Sequence, residues 1–417
     1  PEYYTLREPT TPTIEQVGGK AASLFRLHQI GFEIPRLVVL TTGFFQSWID
    51  QIKQTSGWEI FIQSGNTESL EILKEMGLSL PYSSGQQKIM ENIRRFLREE
   101  DVSLLAVRSS SPEEDLEGTS FAGIYETVLG VTDENLEAAI KTCFVSALDE
   151  RVIAYKKQHG YAITEPKIAV ILQEQVSAEV SGVAFSLNPV TYYYDEAVIN
   201  ANFGLGNTVV DGSVNPDQFI IDKVSRTILE RSPGSKETSQ HINSAGGTGT
   251  RHRSTGPDLC LDDDQVLEIC SLVARVEAEF DKPVDIEWAY EDGQLYLLQA
   301  RLITGYFQLP EEITTRPGEK KRLYQDALLT EQGLVENLSP LGDGIFGMVA
   351  ESMATTLGAD IGFAGEEWGI AFPAAGRIYG DIGRMIQITG KKTIIGTIRA
   401  VDVVGAEILA HMELSVY

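Results

Sequence analysis

Val284-Asp285-Ile286-Glu287-Trp288-Ala289-Tyr290, followed by Glu291-Asp292-Gly293 and then Gln294-Leu295-Tyr296-Leu297-Leu298-Gln299-Ala300-Arg301, alternates apolar and polar residues on either side of an Asp-Gly pair. That pattern predicts a β-hairpin. Period-two geometry places Asp285, Glu287 and Ala289 on one face of the first strand, and Leu297, Gln299 and Arg301 on one face of the second. A glutamate, a glutamine and an arginine sharing a face are expensive to bury without partners. A metal-bound polyphosphate would supply them. Glu287 and the Gln299 carbonyl offer hard oxygens to Mg²⁺, and Arg301 offers a fork to phosphate. A half-exposed edge hairpin whose arginine pairs with its own glutamate fits the same residues.

Composition sets the outer bounds. The 417 residues suffice for two or three domains, and 42% hydrophobic with 23% charged residues is ordinary for a soluble globular chain. There is no apolar run of membrane-spanning length and no secretory signal, so no membrane partner is expected. A start at Pro1 rather than Met fits a trimmed chain. Cys143, Cys260 and Cys270 form no CxxC pair, and their odd number argues against a disulfide framework, so a reducing cytoplasm is expected. The net charge of −26 opposes non-specific nucleic-acid binding and repels anionic ligands generally. A phosphate site here must be built from a few local cations.

Gly18-Gly19-Lys20 opens an amphipathic run to Ile30, stopped by Gly31. Residues 38–41 predict a short strand, 43–54 and 86–99 helices, and 104–108 a buried strand entering the polar loop Ser109-Ser110-Ser111-Pro112. Residues 126–131 predict a strand and 134–157 one long helix. Strands follow at 168–176, 182–186, 197–203 and 218–222. The Gly/Ser/Thr-rich segment 232–258 predicts a mobile surface excursion, and 264–280 a helix leading into the hairpin. A boundary is expected at 305–318, with residues 320–417 leaning to helix.

Several segments suit phosphate chemistry. Gly18-Gly19-Lys20 entering a helix combines backbone N–H groups, the positive helix end and a full charge, although it lacks P-loop spacing; a plain turn with an exposed lysine fits it too. Arg108 ends an apolar strand before three serines, where hydroxyls and N–H groups would face a ligand crevice. Gly118-Thr119-Ser120-Phe121-Ala122-Gly123 has the small residues of a flap over phosphates, or of a surface turn anchored by Phe121. Ile168 to Val176 is an apolar strand ending in polar groups, where a purine could stack while the backbone reads its edge.

In order along residues 14–304, VGGKAASL, LAVRSSSPEEDLEGTSFAG, VILQEQVSAEVSGVAFSLNP, NFGLGNTVVDGSVNPDQFIID and DIEWAYEDGQLYLLQARLIT resemble the N-terminal ATP-grasp region of the phosphoenolpyruvate synthase and pyruvate phosphate dikinase family. The resemblance implies an α+β fold: a two-lobed ATP-grasp domain over 1–305, a linker at 306–318, and the start of a mainly helical acceptor domain over 319–417. It implies that Lys20, Arg108 and Arg301 hold phosphates, with Arg108 and Arg301 catalytic, and that Gly123 and Thr127 line the phosphate end. Gln173, Glu174 and Val176 would frame the adenine, while Glu287 and Gln299 bind the Mg²⁺ that accompanies ATP. Leu302 stands where the family usually has proline, a change at the strand exit rather than at a ligand.

Family members pass the phosphoryl group to a histidine in a Gly-Gly-x-x-Ser-His-Ala context on a swivelling domain. None of the five histidines here (His28, His159, His241, His252, His411) has that context, so a fragment or one subunit of a split enzyme is expected. Asn337-Leu338-Ser339-Pro340-Leu341-Gly342 and Gly376-Arg377-Ile378-Tyr379 resemble the opening motifs of the substrate domain in rifampin phosphotransferases. The expected function is therefore the ATP-binding portion of a phosphotransferase with a small-molecule acceptor, releasing AMP and phosphate. Phosphoenolpyruvate synthesis from pyruvate, a non-catalytic ATP-binding module and an acyl-phosphate ligase remain as alternatives.

Overall fold

The structure, a computed structural model, describes residues 1–8, 10–65, 67–113, 125–243, 245–252, 258–303, 313, 322–326, 371–374, 377–400 and 402–412. The chain divides into two compact units, Pro1–Tyr306 and Phe307–Tyr417. The fold is mixed α+β with several antiparallel sheets.

The first unit begins with β1 (Tyr3–Thr5), α1 (Ile14–Gln29) and β2 (Leu37–Leu40). Four helices follow: α2 (Thr42–Lys53), α3 (Ser56–Ser64), α4 (Glu68–Ser79) and α5 (Ser84–Glu99). Then come β3 (Leu105–Ser110), β4 (Thr127–Val131), α6 (Leu136–Val145), α7 (Glu150–Gln158) and β5 (Ala169–Glu174). These five strands form one antiparallel sheet in the order β1-β2-β5-β3-β4. Its central strands are apolar at successive positions because both faces are covered. Val38, Leu40, Val170 and Leu172 join the core under α2 to α7, while Leu37, Val39, Ala169 and Ile171 join a second core shared with α1.

The second core is completed by β6 (Val180–Phe185), β7 (Glu196–Phe203), the short α8 (Asn207–Val210), β8 (Asp217–Asp222) and β9 (Thr227–Ser232). A two-stranded ribbon, β10 (Thr238–Ile242) and β11 (Thr248–His252), precedes α9 (Asp263–Phe280), β12 (Val284–Glu291) and β13 (Gln294–Leu302). The six-stranded antiparallel sheet runs β13-β12-β6-β7-β8-β9. Its core residues, among them Phe219, Ile286 and Trp288, pack with Val273 of α9 and with Leu24 and Phe25 of α1. Gly182 permits the close approach of β6 to β7, since a Cβ there would lie 1.9 Å from the Asn200 carbonyl oxygen.

Three expectations need correction. The long helix at 134–157 is broken into α6 and α7 by a 3-10 turn at Ser146–Leu148; Asp149 then restarts it by accepting from the Arg151 N–H. Helices α3 and α4, which the sequence pattern did not predict, lie between two expected helices. The excursion at 232–258 contains an ordered ribbon paired from Thr238↔His252 to Ile242↔Thr248; residues 253–257 lie outside the described residues.

In the second unit, β14 (Tyr324–Asp326), β15 (Ala371–Ala374) and β16 (Arg377–Asp381) form a small antiparallel sheet in the order β14-β16-β15. Helices α10 (Ile382–Thr389), α11 (Lys391–Arg399) and α12 (Val403–His411) follow. A strand component therefore accompanies the helices expected there. Asn337 to Gly342 and Gly376 lie outside the described residues. All three cysteines are buried and free, and burial pushes the Cys143 thiol up to about 12. No helix among the described residues is long and apolar enough to cross a membrane.

Candidate functional site

The hairpin forms as its sequence requires. Asp292 and Gly293 both take the left-handed backbone (φ 50° and 76°) that a tight type I′ turn needs. Asp285 stands opposite Arg301, and Glu287 opposite Gln299. The register then slips between Glu287 and Trp288, where Leu298 is the extra residue. This bulge corrects the predicted faces. Leu297 pairs with Trp288 and is buried with it in the core, while Leu298 turns with Ala289 and Tyr296 toward a separate apolar cluster. Leu298 and Gln299 thus share one face as neighbours, as a bulge allows and an ideal strand does not.

That face borders a cavity of about 230 Å³ lined by both sheets of the first unit. Ala106, Arg108, Thr127, Gln173, Glu174 and Val176 line it from the five-stranded sheet and the segment after β5, and Glu287, Ala289 and Leu298 from the hairpin. One end is apolar, built by Val176, Ala178, Leu205 and Ala289 with Leu129 and Leu298. The other is charged. Arg108 extends from β3 across to the hairpin, donating through Nη2 to Glu287 Oε2 (2.7 Å) and to Gln299 Oε1 (2.5 Å). Its Nη1 donates to the Leu298 carbonyl (3.2 Å), exposed for the purpose by the bulge, and to Gln173 Oε1 (3.4 Å).

Electrostatics follow from this crossing. Burial alone would raise the Glu287 carboxyl, but Arg108 first, then Arg301 and Lys20, hold it below the usual value. Glu287 is therefore an anion in a place where an anion needs company. Asp285 behaves differently: burial pushes it up to about 6 even though Arg301 Nε lies 2.8 Å from both its oxygens.

Arg108, Gln173, Glu287 and Gln299 are thus joined by direct hydrogen bonds, and Thr127, Glu174 and Val176 line the same cavity. The Glu174 carboxylate is turned to Arg36 (3.0 Å), and its backbone N–H donates to the Arg36 carbonyl (2.7 Å). Arg301 lies two residues along the strand from Gln299, on its Asp285 partner. Lys20 reaches the Ser109 carbonyl at 3.4 Å. Gly123 and the rest of the expected flap lie outside the described residues.

Gly18, with φ 78° and ψ 166°, is a kink between the first turn of α1 and the longer helical stretch after it, so Gly18-Gly19-Lys20 does enter a helix, with a further turn ahead of it. A Cβ on Gly18 would sit 2.3 Å from Ser110 Oγ, so only glycine lets α1 close on the end of β3. The three serines are buried rather than turned to a crevice. Ser109 Oγ donates to the Glu126 carbonyl and Ser110 Oγ accepts from the Ala21 N–H, anchoring α1 and β4. Residues missed by sequence reasoning include the Leu298 carbonyl, and Leu205, Gly206 and Asn207, which line the cavity beside β6. The last three sit within the NFGLGNTVVDGS block, whose pattern gives no hint of which residues turn inward.

Residues 14–321 match the pyruvate phosphate dikinase, AMP/ATP-binding domain family. The chain belongs to it. Among similar proteins, the uncharacterised phosphotransferase YvkC of Bacillus subtilis is 37% identical over 310 residues, covering 72% of this chain and 35% of that protein. The phosphoenolpyruvate synthase of Pyrococcus furiosus is 35% identical over 290 residues (66% and 35%). A rifampicin phosphotransferase of Streptomyces is 27% identical over 414 residues (96% and 44%). The chain therefore spans between about a third and just under half of these relatives. Within the family it carries the AMP/ATP-binding domain.

Proposed function

We propose that the cavity is an ATP-grasp site for Mg-ATP, with the base at the apolar end and the triphosphate at the Arg108–Glu287–Gln299 end. The observation that carries this is a single guanidinium, from β3 of one sheet, gripping a carboxylate and an amide on the hairpin of the other. In the bound state Glu287 and Gln299 give their oxygens to Mg²⁺, and Arg108 turns its fork to phosphate. The donor set fits that cation. Among the described residues no group of three or more His, Cys, Asp or Glu could hold a metal alone. A magnesium ion bound through one carboxylate and one amide would complete its shell with phosphate oxygens and water. A magnesium ion held there by Glu287 and Gln299 would supply positive charge against the phosphoryl oxygens. Lys20 and Arg301 add positive charge, Thr127 lines the phosphate end, and Gln173, Glu174 and Val176 frame the adenine; Gly123, which the resemblance assigns to the phosphate end, lies outside the described residues.

In this reading the chain is the nucleotide-handling part of a phosphotransferase. The phosphoryl group passes through a histidine on a swivelling domain to a small-molecule acceptor, releasing AMP and phosphate. The match over 96% of the chain favours the rifampicin phosphotransferase branch over a phosphoenolpyruvate synthase acting on pyruvate, whose relative from Pyrococcus furiosus matches 66%. Incubation of this chain with Mg-ATP should give binding with little steady AMP formation. In the presence of Mg-ATP a rifamycin should bind and pyruvate should not. Sustained AMP release by this chain alone would contradict the histidine relay, and pyruvate binding without rifamycin binding would move the reading to the synthase branch.

A further inference from the structure

The ribbon β10–β11 belongs by sequence to the six-stranded side, yet it touches the five-stranded sheet beside the cavity. At its root, the Leu205 N–H donates to the Gln240 carbonyl (2.8 Å) and Asn207 Nδ2 donates to Gln240 Oε1 (2.7 Å). This stitches β10 to the turn that lines the apolar end. Ile242 packs against the cluster of Val176, Ala178, Leu205 and Ala289 that forms that end.

At the tip, the Gly247 N–H donates to the Gly130 carbonyl of β4 (2.8 Å). The approach is backbone to backbone: a Cβ on Gly130 would lie 2.7 Å from the Gly247 nitrogen and oxygen. The Gly130 N–H in turn donates to Gln175 Oε1 (3.2 Å), and Gln175 Nε2 donates to the Val176 carbonyl (2.9 Å). A continuous line of hydrogen bonds therefore runs from the ribbon tip, through β4, to the segment after β5 at the apolar end.

We infer that Ile242 and the Gly130–Gly247 contact are positioning residues for the nucleobase: the ribbon sets the width of the base subsite by tying the two sheets together there. This rests on the nucleotide reading above. It predicts that loosening the ribbon harms recognition of the base and spares recognition of the triphosphate, since Arg108, Glu287 and Gln299 make no contact with the ribbon among their hydrogen bonds here.

The test compares Mg-ATP with inorganic Mg-tripolyphosphate, which carries the charges without the base. Gly130→Ala forces the tip away, and Ile242→Ala removes the ribbon's packing while leaving its backbone in place. Each should weaken ATP about tenfold while shifting tripolyphosphate less than about twofold. If Gly130→Ala fails to fold, Ile242→Ala alone decides between the outcomes. Equal weakening of both ligands, or no change in either, overturns the ribbon's role alone. A wild-type chain that binds neither ligand overturns the nucleotide reading and the ribbon's role with it.

Discussion

Arg108 uses its guanidinium on partners from three strands: Gln173 on β5, Glu287 on β12, and Gln299 with the Leu298 carbonyl on β13. Its Nε is buried without a hydrogen-bond partner among the described residues. A lysine could keep the charge but not the fork. Arg108→Lys should lose charge-assisted contacts worth roughly 1.5–3 kcal/mol and weaken Mg-ATP by about tenfold or more; calorimetry on the folded variant reads this directly, and an unchanged affinity would deny Arg108 its role. Asp285 gives a pH prediction for the ligand-free chain. Its folded value, about 6, lies above its ordinary 3.8. Between those values the folded state holds the extra proton, so stability is greater at low pH and is lost as pH rises through about 6. Wild type should therefore lose stability relative to Asp285→Asn between about pH 4 and pH 7, by up to about 3 kcal/mol, with a constant difference above that. A difference independent of pH would show that Asp285 ionises normally.

Elements were legible in the sequence where one physical rule governs them. The Asp-Gly turn, the apolar central strands and the amphipathic α9 each follow from local pattern, and the structure has all three. The bulge at Leu298 was legible only in part: the apolar set passes from Leu295 and Leu297 to Ala300 and Leu302 across a Leu-Leu doublet, but only strand pairing shows which residue is extra. The Gly18 kink was not legible, because it depends on Ser110, far along the chain. The ribbon was misread for a similar reason: its Gly, Ser and Thr look solvent-loving, while its order comes from β4 and the turn after β7. These features give an element-scale prediction. Deleting Leu298 removes the bulge and the carbonyl that accepts from Arg108, while the pairs on either side, Glu287↔Gln299 and Trp288↔Leu297, can close into regular register. The deletion takes away that carbonyl and should weaken Mg-ATP by more than about tenfold, whereas Leu298→Ala keeps it and should weaken binding less than that. Equal effects in a titration of the two folded variants would mean that the bulge geometry is unimportant.

At the scale of the whole molecule, a chain of net charge −26 gathers Lys20, Arg108 and Arg301 around one half-buried glutamate. Such a cluster works against the overall field, which makes sense for a site that must draw in a polyphosphate. The family and its motif order were readable from sequence because the blocks VGGKAASL to DIEWAYEDGQLYLLQARLIT carry them; the crossing of Arg108 between sheets was not, because it depends on how the two sheets meet. The most direct measurement is calorimetric titration of ATP into wild type and Glu287→Gln, each with Mg²⁺ and with EDTA, after the ligand-free fold of the variant has been checked. The account predicts Mg²⁺-dependent binding by wild type and at least about a tenfold loss in Glu287→Gln. Wild-type binding that is equal in EDTA, or equal to that of folded Glu287→Gln, would contradict it.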